Sequence, residues 1–212
     1  MEVKQAVSRL IAGLEQQEYY FSDEIKSGMF VENYEYFSGA KKKIAKLVAK
    51  FNASTVTYGD WTKDEFDKAL VEMNENLDDR MLLTWGFKSG SFTMIGIIFA
   101  DNINESDLKA IFSKLDAEVL KMRKFSGKGV QGNKLGTYAT FMPVFGDSAK
   151  ARSFNANIKK FYESHMLKGA YTSTISFDCA DESVTVGKAA LGLKWSGGIA
   201  VKELCEAMGF SK

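Results

Sequence analysis

The sequence predicts an α+β fold: a mainly antiparallel sheet of about five strands with helices packed on one face, preceded by a helical N-terminal third. Apolar residues recur at helical spacing in the first third, and β-rich runs dominate from Arg80 onwards. Strand pairs linked by turns outnumber strand-helix-strand alternations. We expect a single domain over residues 1–212, with a predominantly helical part at 1–79 and a sheet-containing part at 80–212.

Three helices are predicted in the N-terminal part. The first covers residues 2–18, with an apolar stripe at Val3, Val7, Leu10, Ile11 and Leu14. A second begins at Ser38, a residue type favoured at helix N-caps, and continues to Phe51. The third covers 62–80 and opens on a capping-box pattern, TKDE. The aromatic-rich stretch at 19–37 has no clear secondary structure from its pattern.

The sheet-containing part opens with a predicted hairpin. The runs at 81–87 and 91–101 are joined by KSGS, and the second run is apolar enough to be a central strand. A helix capped by Asn104 or Ser106 follows and extends to about Arg123. The next strand, 134–146, contains Pro143, which lacks an amide hydrogen and is therefore expected at an edge or a bulge.

The last quarter of the chain continues the same mixture. A helix is predicted over 147–167, with His165 on its apolar side, and strands over 170–179 and 183–195 are joined through ADE. A short C-terminal helix with Val201, Leu204, Cys205 and Met208 inward ends the predicted fold.

Composition restricts the function classes. Hydrophobic residues make up 45% of the chain, enough for a sizeable core. Because 28 Lys and Arg stand against 27 Asp and Glu, no global field draws the protein onto nucleic acid or an anionic membrane. The two cysteines are too few for a disulfide framework, and the N-terminus lacks a signal-peptide pattern. The longest apolar run, 94–100, is far short of the about 20 residues that span a bilayer. We therefore expect a cytoplasmic protein without a membrane span.

Residues 127–132 read GKGVQG and match the letters of the phosphate-binding pattern G-x-G-x-x-G. A dinucleotide site needs a strand before the glycines and a helix after them, because the helix N-terminus supplies amide donors and a positive dipole end. The predicted order is reversed, with a helix before and a strand after. Asn133 also stands where a P-loop needs lysine. The stretch is therefore interpreted as a helix C-cap and connector.

Two basic segments remain as candidates for an anion-binding site, one at 121–134 and one on the outer face of the helix at 41–50. Solvation of a charged helix face, or pairing with the acidic helix at 62–80, is the favoured explanation of the second segment, because charge runs usually have no specific partner. The candidate anion ligands are Lys121, Arg123, Lys124, Lys128, Lys134, Lys42 and Lys46.

Carboxylates cluster in FDCADES, where Asp178, Asp181 and Glu182 are candidate ligands for Mg²⁺ or Mn²⁺, with Asp101 at the end of an earlier strand. Asp is equally typical of turns, because its side chain bonds neighbouring backbone. No cofactor and no catalytic residue is assigned. A cysteine-based activity would have to use His165, the single histidine, with Cys179 or Cys205.

Aromatic residues are dense between residues 19 and 37, interleaved with glutamates, a composition that suits a protein interface better than nucleic acid. Packing in the core is the alternative, and the general burial of aromatic residues favours it. The candidate interface residues are Tyr19, Tyr20, Phe30, Tyr34, Tyr36 and Phe37. The sequence favours a non-catalytic cytoplasmic binding or regulatory module whose partner is another protein or a second copy of itself. The alternative is a phosphate- or nucleic-acid-handling protein, as a metal-dependent enzyme or otherwise, that uses the two basic segments.

Overall fold

The computed structural model describes residues 1–17, 19, 56–57, 80–88, 91–125, 128–129, 136–161, 164–165, 170–187, 195–196 and 199–210. Its helices are α1 (Val3–Gln16), α2 (Glu105–Phe125), α3 (Ser148–Ala156) and α4 (Val201–Met208), with a 3-10 turn at Ile158–Phe161. Its strands are β1 (Val56–Thr57), β2 (Met81–Lys88), β3 (Ser91–Phe99), β4 (Lys128–Gly129), β5 (Gly136–Phe145), β6 (Ser164–His165), β7 (Ala170–Asp178), β8 (Ser183–Gly187), β9 (Trp195–Ser196) and β10 (Ile199–Ala200). The predicted α+β class is confirmed.

The prediction of a mainly antiparallel sheet is wrong. In the described part of the chain the main sheet has six strands in the order β2-β3-β5-β7-β6, with β8 also paired to β7. Its long central strands, β3, β5 and β7, are parallel to one another. Antiparallel pairing is confined to the flanks, where β2 joins β3 and both β6 and β8 join β7. The predicted hairpins β2-β3 and β7-β8 are confirmed, but α2 and α3 connect parallel neighbours.

Pro143 lies in a central strand, contrary to its predicted place at an edge or a bulge. It is opposite Ile98 on the β3 side. On the β7 side the pairing stops at Phe141 and resumes at Val144. The missing amide hydrogen therefore interrupts one ladder and leaves the other continuous.

Helices cover both faces of the sheet, so the prediction of helices on one face is also wrong. Phe112 of α2 packs on Phe141 of β5, with ring centroids 5.6 Å apart. Phe210, which follows α4, packs on Phe177 of β7 at 6.4 Å. Phe177 of β7 is paired with Val144 of β5, so the two side chains are on the same face of the sheet. Val144 is three residues after Phe141, and an odd separation along a strand places side chains on opposite faces. Helices α2 and α4 therefore lie on different sides.

The first helix is confirmed over most of its predicted length. Its apolar stripe is buried, and it packs so closely on α4 that a Cβ at Gly13 would lie 2.9 Å from the Cβ of Ala207. The helix predicted over 38–51 falls outside the described residues, as do residues 62–79 of the helix predicted over 62–80 and most of the predicted helical N-terminal third; Arg80 is described and lies in a turn. The prediction of a single domain over 1–212 stays a prediction.

Two elements near the middle of the chain differ in length from the sequence prediction. Asn104 caps α2, since its Oδ1 accepts from the amide of Asp107 at 2.9 Å. The helix predicted over 147–167 ends at Ala156, and His165 lies in the short strand β6, opposite Ala170.

None of the described helices is long and apolar enough to cross a membrane.

Candidate functional site

An aspartate stands at or just after the end of each central parallel strand. Asp101 follows β3, Asp147 follows β5, and Asp178 is the last residue of β7. Because parallel strands end at the same edge of a sheet, the topology brings these three residues to one edge. In open sheets of this kind, ligands bind outside the carboxyl ends of the strands. This carboxyl edge of the sheet is therefore the candidate location of a ligand-binding site.

Asp101 ties the end of β3 to the end of β5. Its two carboxylate oxygens accept from the amide of Gly146 at 2.9 and 3.1 Å, and one of them also accepts from the amide of Asp147 at 3.1 Å. The close contact between Asp101 and the backbone of residue 146 requires glycine at that position. A Cβ at Gly146 would lie 2.9 Å from an Asp101 oxygen and 2.7 Å from Val3. The Asp101 carboxylate is thus occupied by backbone donors.

Asp178 is 2% exposed, and one of its carboxylate oxygens is occupied by protein donors. Its Oδ1 accepts from the hydroxyl of Ser148 at 2.8 Å and from the amides of Ala180 and Asp181 at 3.1 Å each. The hydroxyl bond attaches the start of α3 to the end of β7. The two amide bonds form the β7-β8 turn, which is the structural role that aspartate commonly has in turns.

The other candidate metal ligands also have protein partners. Asp181 pairs with Arg152 at 3.1 Å, and both side chains are exposed. Glu182 lies 3.5 Å from the ammonium group of Met1 and adopts a left-handed φ of 48°. No three metal-ligating side chains are grouped closely enough to hold an ion in the described ranges.

A cleft of about 440 Å³ opens at the carboxyl edge, between the segment 101–105 and α3. Leu108, Phe145 and Phe154 form its floor, and the rings of Phe145 and Phe154 are 5.5 Å apart. The remaining lining residues are Asp101, Asn102, Ile103, Asn104, Glu105, Lys150 and Ser153. Six of the ten lining residues have polar side chains.

Lys150 connects the two walls of the cleft. It stands in the first turn of α3, and its ammonium group donates to the backbone oxygen of Asp101 on the opposite wall. A cation in a first helical turn is disfavoured by the helix dipole, so this position is not explained by helix stability. Asp147, the N-cap of α3, offsets part of that cost through the amide of Ala149 at 2.8 Å.

Two rim charges have no counter-ion among the described residues. Neither Lys150 nor Glu105, which opens α2, takes part in an ion pair there. By contrast, Asp107, two residues after Glu105, lies 3.8 Å from Arg80. The rim of the cleft thus has one positive and one negative group without a counter-ion, whereas Asp101, the third charged lining residue, has backbone amides as its partners.

The structure separates His165 from Cys179. His165 is opposite Ala170 at the start of β7, whereas Cys179 follows its end, so about nine residues, or roughly 30 Å, separate them. Cys179 is fully buried, and burial raises the pKa of its thiol to about 12. A thiol in this state is a poor nucleophile, because the thiolate is the reactive form.

The basic candidates near the glycines lie at the opposite edge of the sheet from the cleft. Helix α2 runs from the carboxyl end of β3 to the amino end of β5, and its last turns contain Lys121, Arg123 and Lys124. The helix ends at Phe125, before the glycines, and Lys128 and Gly129 pair with β1. The predicted order of helix, glycines and strand is present. Lys134, Lys42 and Lys46 lie outside the described residues.

Tyr19 is not a surface residue. It is 1% exposed and belongs to the hydrophobic core, so its prediction as an interface residue is wrong. The pattern of residues 19–37 did not distinguish packing from interface, since large aromatics serve both. The other interface candidates, Tyr20, Phe30, Tyr34, Tyr36 and Phe37, lie outside the described residues.

Sequence reasoning missed the cleft and its rim residues Lys150 and Glu105. The sequence contained a signal for the cleft, because three strands end in a similar pattern of phenylalanine followed by aspartate. The pattern reads FAD at 99–101, FGD at 145–147 and FD at 177–178. With parallel pairing these endings share one edge, whereas the predicted antiparallel sheet would have divided them between two.

No family model, curated protein or solved structure matches the chain, so the function has to be inferred from the geometry of its own residues.

Proposed function

We propose that the protein is a non-catalytic binding module and that its ligand site is the cleft at the carboxyl edge of β3, β5 and β7. The observation that carries the proposal is the cleft itself. Its volume of about 440 Å³ falls within the range of small-molecule sites, and its position is the one where open sheets bind ligands.

Binding is favoured over catalysis because the carboxylates and the thiol near the cleft are hydrogen-bonded within the fold or buried. The carboxylates of Asp101 and Asp178 accept three hydrogen bonds each from the fold. Cys179 is a buried thiol with a raised pKa. A general base or nucleophile must be able to reach substrate, and these groups are held by their neighbours.

Amide chemical shifts of the full chain, recorded against a library of small molecules, test the proposal. We expect hits to shift the amides of residues 101–105 and 148–154 together. Ser153→Trp, which places an indole in the cleft from its rim, should abolish those shifts. Ala156→Trp is the matched control, because Ala156 is exposed on the same helix and does not line the cleft. Hits that shift other regions only, or that survive Ser153→Trp, contradict the proposal.

Self-association in the cytoplasm remains part of the proposal. After the exclusion of Tyr19, it depends on Tyr20, Phe30, Tyr34, Tyr36 and Phe37, a dense aromatic set of the kind that interfaces favour. Light scattering at micromolar concentration should show a species larger than the 23.6 kDa chain. A strict monomer at that concentration removes this part of the proposal.

A second candidate function, binding of a phosphate-rich polymer, is favoured by one pairing. Val56 of β1 lies opposite Gly129 of β4. Lys50 precedes Val56 by six residues in the sequence. The pairing of β1 with β4 therefore favours an arrangement in which the basic segments 41–50 and 121–134 are near each other.

Retention on heparin or DNA tests this second candidate. It predicts salt-dependent retention that decreases when Lys124 and Lys128 are changed to glutamate. Lys114→Glu is the control, since Lys114 is exposed on α2 more than two turns before the glycines. Unchanged retention of the Lys124→Glu and Lys128→Glu variants excludes this function.

A further inference from the structure

We infer that the ligand of the cleft is a small zwitterion with an apolar body, of the class of an apolar α-amino acid. The inference rests on the proposed function and adds the ligand's chemistry. Three features of the cleft carry it: the ammonium of Lys150, which reaches the wall formed by residues 101–105, the carboxylate of Glu105 on that wall, and apolar residues elsewhere in the lining.

The positive group is the ammonium of Lys150. It is exposed, and its observed acceptor is a neutral carbonyl oxygen, that of Asp101. A lysine ammonium has three donors, so this contact leaves donors for a carboxylate. Helices α2 and α3 both begin at the cleft, and their N-terminal dipole ends add to the attraction for a negative group.

The negative group is the carboxylate of Glu105. It is exposed at the start of α2 and has no cation partner among the described residues. The nearby Asp101 cannot take this role as readily, because its oxygens accept from the amides of Gly146 and Asp147. A ligand ammonium is thus directed to Glu105.

The apolar surface selects the body of the ligand. Ile103 is half-buried on the wall, and Leu108, Phe145 and Phe154 lie beneath it with 2% of their surface exposed. Because these three residues expose almost no surface, a leucine- or phenylalanine-like side chain would pack mainly on Ile103, and it would gain about 25 cal/mol for each Å² of apolar area removed from water. A strongly hydrophilic body would gain nothing there.

The test is calorimetric titration of the full chain with three probes: L-phenylalanine, 3-phenylpropanoate, which lacks the amine, and 2-phenylethylamine, which lacks the carboxylate. We expect L-phenylalanine to bind at least tenfold more tightly than either of the others. Lys150→Gln should remove its advantage over 2-phenylethylamine, and Glu105→Gln should remove its advantage over 3-phenylpropanoate. Melting temperatures verify that both variants fold.

Matched controls lie on the same kinds of element. Arg152→Gln removes a cation from α3 that pairs with Asp181 and does not line the cleft. Glu203→Gln removes an acid from the first turn of α4, the position that Glu105 has in α2. Both should leave the three affinities within twofold of the unmodified protein.

Equal affinity for the three probes, or affinity for L-phenylalanine that neither Lys150→Gln nor Glu105→Gln changes, overturns the inference. If none of the probes binds while other library molecules shift the amides around the cleft, the zwitterion is wrong and the binding cleft stands. If no molecule shifts those amides, the proposed function is wrong as well.

Discussion

Gln17 and Ala200, 183 residues apart in sequence, exchange two hydrogen bonds through one side-chain amide. The Gln17 Nε2 donates to the Ala200 carbonyl oxygen at 3.1 Å, and the Ala200 amide donates to the Gln17 Oε1 at 2.8 Å. The side chain thus takes the place of a neighbouring strand's peptide group. Because Gln17 follows α1 and Ala200 precedes α4, the pair fixes one end of the two-helix layer.

Gln17→Ala should lower the free energy of unfolding by about 1–3 kcal/mol, because it leaves the buried amide donor of Ala200 without its partner. Gln16→Ala, one residue earlier and exposed, should change it by less than about 0.5 kcal/mol. Urea denaturation of both variants measures the difference. Equal stability of the two would show that the pair contributes nothing to the fold.

Gly13→Ala should destabilise the protein by about 1–3 kcal/mol through overpacking, although alanine is the better helix former. The new methyl group would lie 2.9 Å from the Cβ of Ala207 and 2.9 Å from Leu204 Cδ1, so the two helices must separate. Adding Ala207→Gly makes room for it. We expect the double variant to lose less stability than the sum of the two single variants, and strict additivity in this cycle would contradict the close contact.

Asp101→Asn should lower stability by about 1.5–3 kcal/mol, since a hydrogen bond to a charged group contributes about that much and an amide nitrogen cannot accept. It should also broaden the amide signals of Gly146 and Asp147, which donate to this carboxylate. Asp181→Asn removes a carboxylate from an exposed pair and should cost about 1 kcal/mol or less. Thermal melts and amide spectra of the two variants supply the comparison, and similar losses in both argue against a special role for Asp101.

Cys179 should resist alkylation in the folded protein, because burial raises the pKa of its thiol from 9.0 to about 12. In a Cys205→Ser background, where Cys179 is the remaining thiol, iodoacetamide at pH 8 should react on unfolding and not before. Because the pKa of the thiol is lower in the unfolded chain than in the folded protein, the unfolded chain loses this proton at lower pH. The stability due to this group is therefore complete below about pH 9 and is lost as pH rises towards 12.

Comparison of Cys179→Ala with the unmodified protein between pH 8 and pH 10.5 isolates that dependence. The gap in stability between the two should narrow as the pH rises. Rapid labelling of the native thiol at pH 8, or a gap that stays constant over this range, contradicts the burial of Cys179.

Local elements were predictable because their signals are local. The apolar stripe that predicts α1 needs only neighbours three and four residues apart, and KSGS predicts the β2-β3 hairpin from its turn residues. Strand pairing was not predictable in the same way. The parallel contact of β5 with β7 is made across the whole of α3, and nothing in either strand's own pattern selects it.

β7 also departs from the composition expected of a central parallel strand. Thr172, Ser173, Thr174 and Ser176 are buried there, where apolar residues are the rule. Thr140 and Ser173 lie 3.0 Å apart, and the Thr174 hydroxyl donates to the Phe161 carbonyl oxygen at 2.6 Å. Such partners exist only in the folded chain, so the hydroxyl-rich sequence of this strand was compatible with an antiparallel strand. The cleft was missed because the ends of β3, β5 and β7 share one edge only when these strands are parallel.

The pairing of α1 with α4 has a consequence for biosynthesis. The first helix leaves the ribosome while the helix that covers its apolar stripe has not been made, and the 183 residues between Gln17 and Ala200 take roughly 10–40 s at 5–20 residues per second. Throughout that time the stripe is open to other nascent chains and to chaperones. This layer can therefore complete its folding only after α4 has been synthesised.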